Sequence, residues 1–131
     1  MSNLHRILVI DDDPSLLLLI SKMLIRVGAS PVTAETGMEG LELLGSQSFA
    51  LLILDLTLPD MDGFDILSQI RSDPSLDQMP VLILSAKADP DTINQGLELG
   101  ADAYLTKPYL PNTLTSRVRA LLRQDRRTQT T

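Results

Sequence analysis

Apolar residues in this chain fall into two kinds of stretch, and the two alternate five times. The first kind is a short unbroken run. Ile7-Leu8-Val9-Ile10, Ala50-Leu51-Leu52-Ile53-Leu54 and Val81-Leu82-Ile83-Leu84 have no polar residue to turn outward, as strands covered on both faces of a parallel sheet require. Two further runs are weaker: Pro31 to Ala34 opens on proline, and Ala103-Tyr104-Leu105 is short and less apolar, so both suit sheet edges. The second kind of stretch carries apolar residues at three- and four-residue spacing. It predicts helices from Pro14 to about Val27, Met38 to about Leu44, Gly63 to about Arg71, Pro90 to about Leu99, and Pro111 to about Arg123.

Polar and special residues mark the boundaries of these stretches. Asp13-Pro14, Thr36, Asp62 and Asp89-Pro90 supply capping side chains at helix starts. Gly28, Gly45, Asp73-Pro74 and Gly100 supply stops. The first helix is expected to turn Leu16, Leu19, Ile20, Met23, Leu24 and Val27 inward, leaving Leu17 and Leu18 over. The second turns in Leu41 and Leu44, the third Phe64, Leu67 and Ile70, the last Leu114, Val118, Leu121 and Leu122. Five strands alternating with five helices predict an α/β protein with a doubly wound parallel sheet. With the most apolar strands central and right-handed crossovers, the strand order is 2-1-3-4-5, the flavodoxin-like (βα)5 arrangement.

Composition narrows the class. At 131 residues, 44% hydrophobic and 21% charged, the chain suits one globular domain, with no repeat or low-complexity segment. It has no cysteine, no apolar run of membrane-spanning length and no signal peptide in Met1–Arg6, so a cytoplasmic location is expected. Net charge is −6, split as +4 over the last 22 residues (Arg117, Arg119, Arg123, Arg126 and Arg127 against Asp125) and −10 over the rest. That balance argues against nucleic-acid binding by the body, and the terminal arginines read as a solvated face.

The chemistry lies where the strands end. All strands of such a sheet point one way, and ligands sit beyond their carboxyl ends. Asp11 and Asp12 follow the first strand, Asp55 the third, Ser85 the fourth and Lys107 the fifth; Lys107 is one of only three lysines. Three carboxylates on strands about 4.8 Å apart repel one another, and a hard divalent cation such as Mg²⁺ relieves that repulsion. With a cation and the Lys107 ammonium holding it ionised, Asp55 can act as a carboxylate nucleophile toward phosphorus. A phosphohydrolase of the haloacid-dehalogenase type would need a second aspartate two residues on, where Thr57 stands. A flavin carrier would need a phosphate-holding loop where Asp11-Asp12-Asp13 repels phosphate.

Ile-Leu-Val-Ile-Asp11-Asp12-Asp13, Leu-Asp55-Leu-Thr-Leu-Pro59-Asp-Met-Asp-Gly63, Leu-Ser85-Ala86, Gly100-Ala-Asp-Ala-Tyr104 and Lys107-Pro108, in that order and spacing, resemble the receiver domain of two-component response regulators (CheY-like). The resemblance covers the chain to about Arg123. It implies a receiver domain over residues 1–124, with 125–131 a flexible tail or the start of a linker. It implies Asp55 as phosphoacceptor and metal ligand, Asp12 binding Mg²⁺ directly, Asp11 mainly through water, and the Thr57 backbone carbonyl completing the protein's share. It further implies Lys107 on the phosphoryl oxygens, a cis Lys107-Pro108 bond, and Ser85 and Tyr104 as the switch pair that shifts the face formed by helix four, strand five and helix five. The implied donor is a histidine kinase or histidine phosphotransfer protein docking near the first helix, at Leu17 and Leu18. The alternative is a receiver-shaped interaction module not regulated by phosphorylation. Two departures matter: Thr57 and Lys87 stand at variable positions that bear on phosphoryl lifetime, and Gln95 stands where winged-helix regulators usually carry a basic residue used in a dimer ion pair. Simpler readings go to Asp13 and Asp62 as helix caps, Asp60 as a solvated turn residue, and His5 as a residue without a role.

Overall fold

The computed structural model describes residues 5–124. Its elements are β1 (His5–Ile10), α1 (Pro14–Arg26), β2 (Ala29–Ala34), α2 (Gly37–Ser46), β3 (Leu51–Leu54), α3 (Gly63–Ser72), β4 (Val81–Ser85), α4 (Pro90–Glu98), β5 (Ala103–Thr106) and α5 (Pro111–Gln124). The five strands form one parallel sheet in the expected order β2-β1-β3-β4-β5. Asp125, Arg126, Arg127 and the expected tail lie outside the described residues, while Arg117, Arg119 and Arg123 lie on the exposed side of α5.

Alternation along each central strand builds two cores. Leu8, Ile10, Leu52, Leu54, Val81 and Ile83 face one way, onto Leu44 of α2 and Ile66, Leu67 and Ile70 of α3. Ile7, Val9, Leu51, Ile53, Leu82 and Leu84 face the other way, onto Leu17, Ile20 and Leu24 of α1 and Leu114, Val118 and Leu121 of α5. All twelve strand residues are fully buried or nearly so. No helix of the described residues is long and apolar enough to cross a membrane.

Several boundaries and faces differ from the sequence reading. In α1 it is Leu17 that is buried, while Leu19 is 53% exposed. At about 100° per residue, Leu24, Ile20, Val27, Leu16 and Met23 all fall within about 120° of Leu17, whereas Leu19 lies about 160° away. The core stripe is thus centred on Leu17-Ile20-Leu24, so of the two residues expected at a docking surface Leu17 is buried in the core and only Leu18, 58% exposed, is open to solvent. Gly45 sits inside the last turn of α2, which runs on until Gln47 donates to the Leu43 carbonyl. Ile66 joins the α3 core face, with Phe64 only half-buried. His5 and Arg6 extend β1 by pairing with Ala29 and Ser30, so β2 starts before Pro31.

The end of the sheet opposite the strand tips is held by one side chain that periodicity did not reveal. Arg71 donates from Nε to the Gly100 carbonyl (2.9 Å) and from Nη1 to the Met79 and Asp77 carbonyls (2.8 and 3.2 Å), and its Nη2 pairs with Asp102 (3.0 Å). Asp102 in turn accepts from the Val81 N–H at 2.8 Å, at the start of β4. Gly100, at φ +113°, leaves room for this arginine, since a Cβ there would meet its side chain at 2.9 Å. Arg71→Ala is therefore expected to lower unfolding stability by about 2 kcal/mol, with part of the loss remaining in Arg71→Lys, because an ammonium cannot serve the same fork of acceptors; urea midpoints would check it.

Candidate functional site

The strand ladder continues past the last apolar residues and carries two acids with it. Asp11 N donates to the Ala34 carbonyl and Asp55 N to the Ile10 carbonyl, both at 3.0 Å. These bonds fix the tips of β1 and β3 side by side. Gly63 closes the other side: its N–H donates to the Leu56 carbonyl, and a Cβ would come within 2.6 Å of Leu56 Cα and 2.8 Å of the Asp55 carbonyl oxygen. Both contacts are backbone, so only glycine lets α3 start this close to Asp55.

Asp11, Asp12 and Asp55 each bring one carboxylate oxygen to within 4.8 Å of the others. Asp11 and Asp55 are buried and Asp12 is exposed. Lys107 reaches across from the end of β5, whose chain is tied to β4 by the Lys107 N–H on the Ser85 carbonyl (2.8 Å). Its Nζ lies 2.8 Å from Asp11 Oδ2 and 3.4 Å from Asp55 Oδ2, closer to Asp11 than to the expected phosphoacceptor. Lys107-Pro108 is cis, as the resemblance implied. Two local amides orient the acids: Asp13 N–H on Asp11 Oδ1 (3.0 Å) and Thr57 N–H on Asp55 Oδ1 (3.2 Å).

The electrostatics follow from this crowding. Burial pushes the Asp55 carboxyl up from its ordinary value; Lys107 and the Thr57 N–H pull it down, and the neighbouring Asp11 adds to the rise. Burial acts to lower the Lys107 ammonium, but its bond to Asp11 and the charges of Asp55 and Asp11 outweigh that and leave it raised. Lys107 is thus firmly cationic, yet one cation faces three acids. The donors are all oxygen, the charge is in excess, and one acid is open to solvent: the set fits a hard divalent cation. Asp11, Asp12 and Asp55 are the residues that could hold it.

Ser85 is fully buried as the last residue of β4. Its Oγ accepts from the Lys87 N–H (3.2 Å), while the Tyr104 hydroxyl donates to the Lys87 carbonyl (2.6 Å). The two expected switch residues therefore grip one residue of the β4–α4 loop from both sides. Tyr104 is already half-buried, turned onto that loop. Asp13, Asp62 and Asp89 are helix caps, accepting from Ser15 and Leu16, from Phe64, and from Thr92.

Two residues carry more than the sequence suggested. Asp60, read as a solvated turn residue, accepts from the Gly37 and Met38 N–H groups with its two oxygens (2.8 and 2.9 Å); these bonds hold its carboxyl below the ordinary value. Tyr109 has its hydroxyl buried without a partner, and burial raises it, with Lys107 opposing and Asp11 adding. Neither is visible from periodicity, because each depends on a contact between elements distant in sequence.

Residues 7–119 match the model of the response regulator receiver domain family. The chain is 40% identical to the transcriptional regulatory protein GltR of Pseudomonas aeruginosa, over 98% of its own length and 53% of that protein. It is 39% identical to the alkaline phosphatase synthesis regulator PhoP of Bacillus subtilis, over 91% and 49%. The chain thus spans about half the length of the curated relatives it matches. Among solved structures it superposes on a CheY-like receiver domain protein from Methanospirillum hungatei with TM-score 0.89 and 29% identity, covering 97% of this chain and all of that one. The BeF3-activated DrrB receiver domain gives 0.84 and 31%, covering 92% and 99%.

Crowded acids store repulsion that a neutral side chain removes. In metal-free buffer at pH 7, Asp55→Asn is expected to raise Tm by about 3 °C, the scale of ~1 kcal/mol in a domain of this size. The sign follows from the shift: a folded pKa raised above the unfolded one means ionised Asp55 costs stability above the folded value, and the cost vanishes below the unfolded one. The gain should fade as pH falls toward 4. Thermal melts across that range, where a variant less stable than wild type at pH 7 contradicts the reading, provide the check.

Proposed function

The chain belongs to the response regulator receiver family, whose domains are phosphorylation-activated signalling switches, and we propose that here Asp55 takes the phosphoryl group, with residues 1–124 as the phosphoacceptor unit. The observation that carries the assignment is the meeting of Lys107 Nζ with both Asp11 (2.8 Å) and Asp55 (3.4 Å) at the edge of a three-carboxylate cluster.

The chemistry is an in-line displacement. An Asp55 carboxylate oxygen attacks phosphorus, the new O–P bond forms as the donor's P–N bond breaks, and the leaving imidazole keeps the electron pair. Mg²⁺, held by Asp11, Asp12, Asp55 and the Thr57 carbonyl, supplies charge neutralisation for the phosphoryl oxygens when bound. Lys107, whose ammonium already lies 3.4 Å from Asp55 Oδ2, leaves Asp11 for a phosphoryl oxygen. Ser85 gives up the Lys87 N–H to donate its hydroxyl to the phosphoryl group, which frees the β4–α4 loop that Tyr104 holds from the other side. The result biases the face of α4, β5 and α5 between two arrangements. In this reading the domain catalyses only its own phosphorylation and dephosphorylation.

The donor is a histidine kinase or histidine phosphotransfer protein, and the site works in the cytoplasm. Its docking surface includes Leu18 and, in place of the buried Leu17, Leu19; both lie exposed on α1, whose N-terminus follows directly from the acidic loop. The domain itself makes no direct nucleic-acid contact.

Acetyl phosphate with Mg²⁺ is expected to add one phosphoryl group, labile to hydroxylamine, read by intact mass. Asp55→Ala should abolish the addition, and Lys107→Ala should slow it by about 100-fold, the scale of losing one charged stabilising group. Incorporation into the Asp55→Ala protein at the wild-type rate would place the acceptor elsewhere. Leu18→Glu should leave this reaction unchanged and weaken transfer from the cognate kinase.

A further inference from the structure

We propose that Asp60 is a positioning residue for the cation site: by fastening the loop between β3 and α3 to the first turn of α2, its carboxylate holds the Thr57 carbonyl in the place a metal needs. The inference rests on the magnesium-dependent reading above and extends it to a residue outside the acid cluster.

The first N–H groups of a helix have no partner within it, and a capping side chain serves only one or two of them. In α2 the work is divided. Thr36 Oγ1 accepts from the Glu39 N–H at 3.1 Å, which leaves the Gly37 and Met38 N–H groups. Asp60, 23 and 22 residues away in sequence, takes one with each oxygen, at 2.8 and 2.9 Å. The positive end of a helix favours a carboxylate there, so the contact is charge-assisted as well as two-pronged. A second contact lies beside the first. A Cβ on Gly37 would stand 2.3 Å from Met61 Cγ and 2.5 Å from its Sδ, so Met61 fills the notch that this glycine leaves. Asp60 and Met61 together pin the tip of the loop to α2.

The same loop carries Thr57. Its base is closed by the antiparallel bridge between Thr57 and Asp62 and by the Gly63 N–H on the Leu56 carbonyl at 3.0 Å. Between those ties and the pinned tip, Thr57 to Asp62 is held at both ends although Thr57, Pro59 and Asp60 are themselves exposed. If the tip is released, the chain next to Thr57 gains conformational freedom that a cation must remove again on binding. α2 has no other part in the site. Apart from the packing of Gly40 against Ile10, its link to the cation runs through this loop, and for that reason the effect can be separated from a loss of helix stability.

The test is a Mg²⁺ titration of the full chain followed by ¹H–¹⁵N shifts of the Thr57 and Lys107 amides, in wild type, Asp60→Ala, Asp60→Asn and Thr36→Ala. Asp60→Ala is expected to weaken Mg²⁺ binding by about five-fold, the scale of leaving roughly one more backbone residue to be ordered on binding. Asp60→Asn, which keeps one acceptor oxygen, should fall between it and wild type. Thr36→Ala strips a cap from the same helix without touching the loop, so it should lower Tm comparably and leave Mg²⁺ affinity unchanged. In phosphorylation by acetyl phosphate, Asp60→Ala should raise the half-saturating Mg²⁺ by the same factor and reach the wild-type rate at saturation. Wild-type affinity in Asp60→Ala overturns the proposal, as does an equal loss in Thr36→Ala, which would make the effect one of helix stability. Should Asp60→Ala fail to fold, Asp60→Asn carries the same comparison. Failure of the magnesium reading itself would show differently, as shifts that do not respond to Mg²⁺ in the wild-type protein, and would remove this inference with it.

Discussion

Three carboxylates share the rim of this sheet with a single ammonium group, and the rest of the molecule is arranged around that imbalance. Asp11 and Asp55 are buried at adjacent strand tips, Asp12 opens to solvent beside them, and Lys107 bridges the two buried acids. Left alone, such a cluster opposes folding: desolvation and the Asp11 charge push Asp55 up, against the pull of Lys107 and the Thr57 amide. The unfavourable part is what makes the site useful. A group of acids short of positive charge suits a hard cation, and with such a cation and Lys107 beside it the Asp55 carboxylate would be ready to attack phosphorus.

Holding like charges together requires a scaffold that does not yield, and the central strands supply it. β1, β3 and β4 are covered on both faces by the two cores, so their tips cannot drift apart without opening one of them. Close approaches sharpen the geometry. Gly63 brings α3 against the backbone of Asp55 and Leu56, and Gly40 brings α2 against Ile10, the residue before Asp11. At the far end of the sheet the Arg71 fork ties the turns before β4 and β5 together. Stiffness at one end and stored repulsion at the other leave the loops between as the parts free to respond.

Those loops are fastened by few bonds. Lys87 is held through its N–H by Ser85 and through its carbonyl by Tyr104, so a change at the buried hydroxyl is felt directly by the loop that opens α4. The β3–α3 loop is held by Asp60 on α2. Both links join a residue at the site to an element whose surface faces solvent, as a switch that must report outward needs.

The amino-acid sequence by itself determined the fold class, the strand order and the identity of the charged groups at the strand tips. Unbroken apolar runs and three-and-four spacing are local signals, and in a parallel sheet all strand ends fall on one edge, so Asp11, Asp12, Asp55, Ser85 and Lys107 could be brought together from their places after the runs alone. Tertiary structure alone decided what depends on contact between distant segments. It centred the α1 stripe on Leu17 rather than Leu19, because neighbouring residues on a long apolar helix compete for one direction and only the packed sheet selects it. It turned Asp60 from a loop acid into the partner of two amides 22 and 23 residues away, made Arg71 a fork between two turns, and enclosed the Tyr109 hydroxyl. Periodicity reports which face of an element is apolar. It is silent on which polar atom of one element meets which of another, because that distance exists only once the chain has closed on itself.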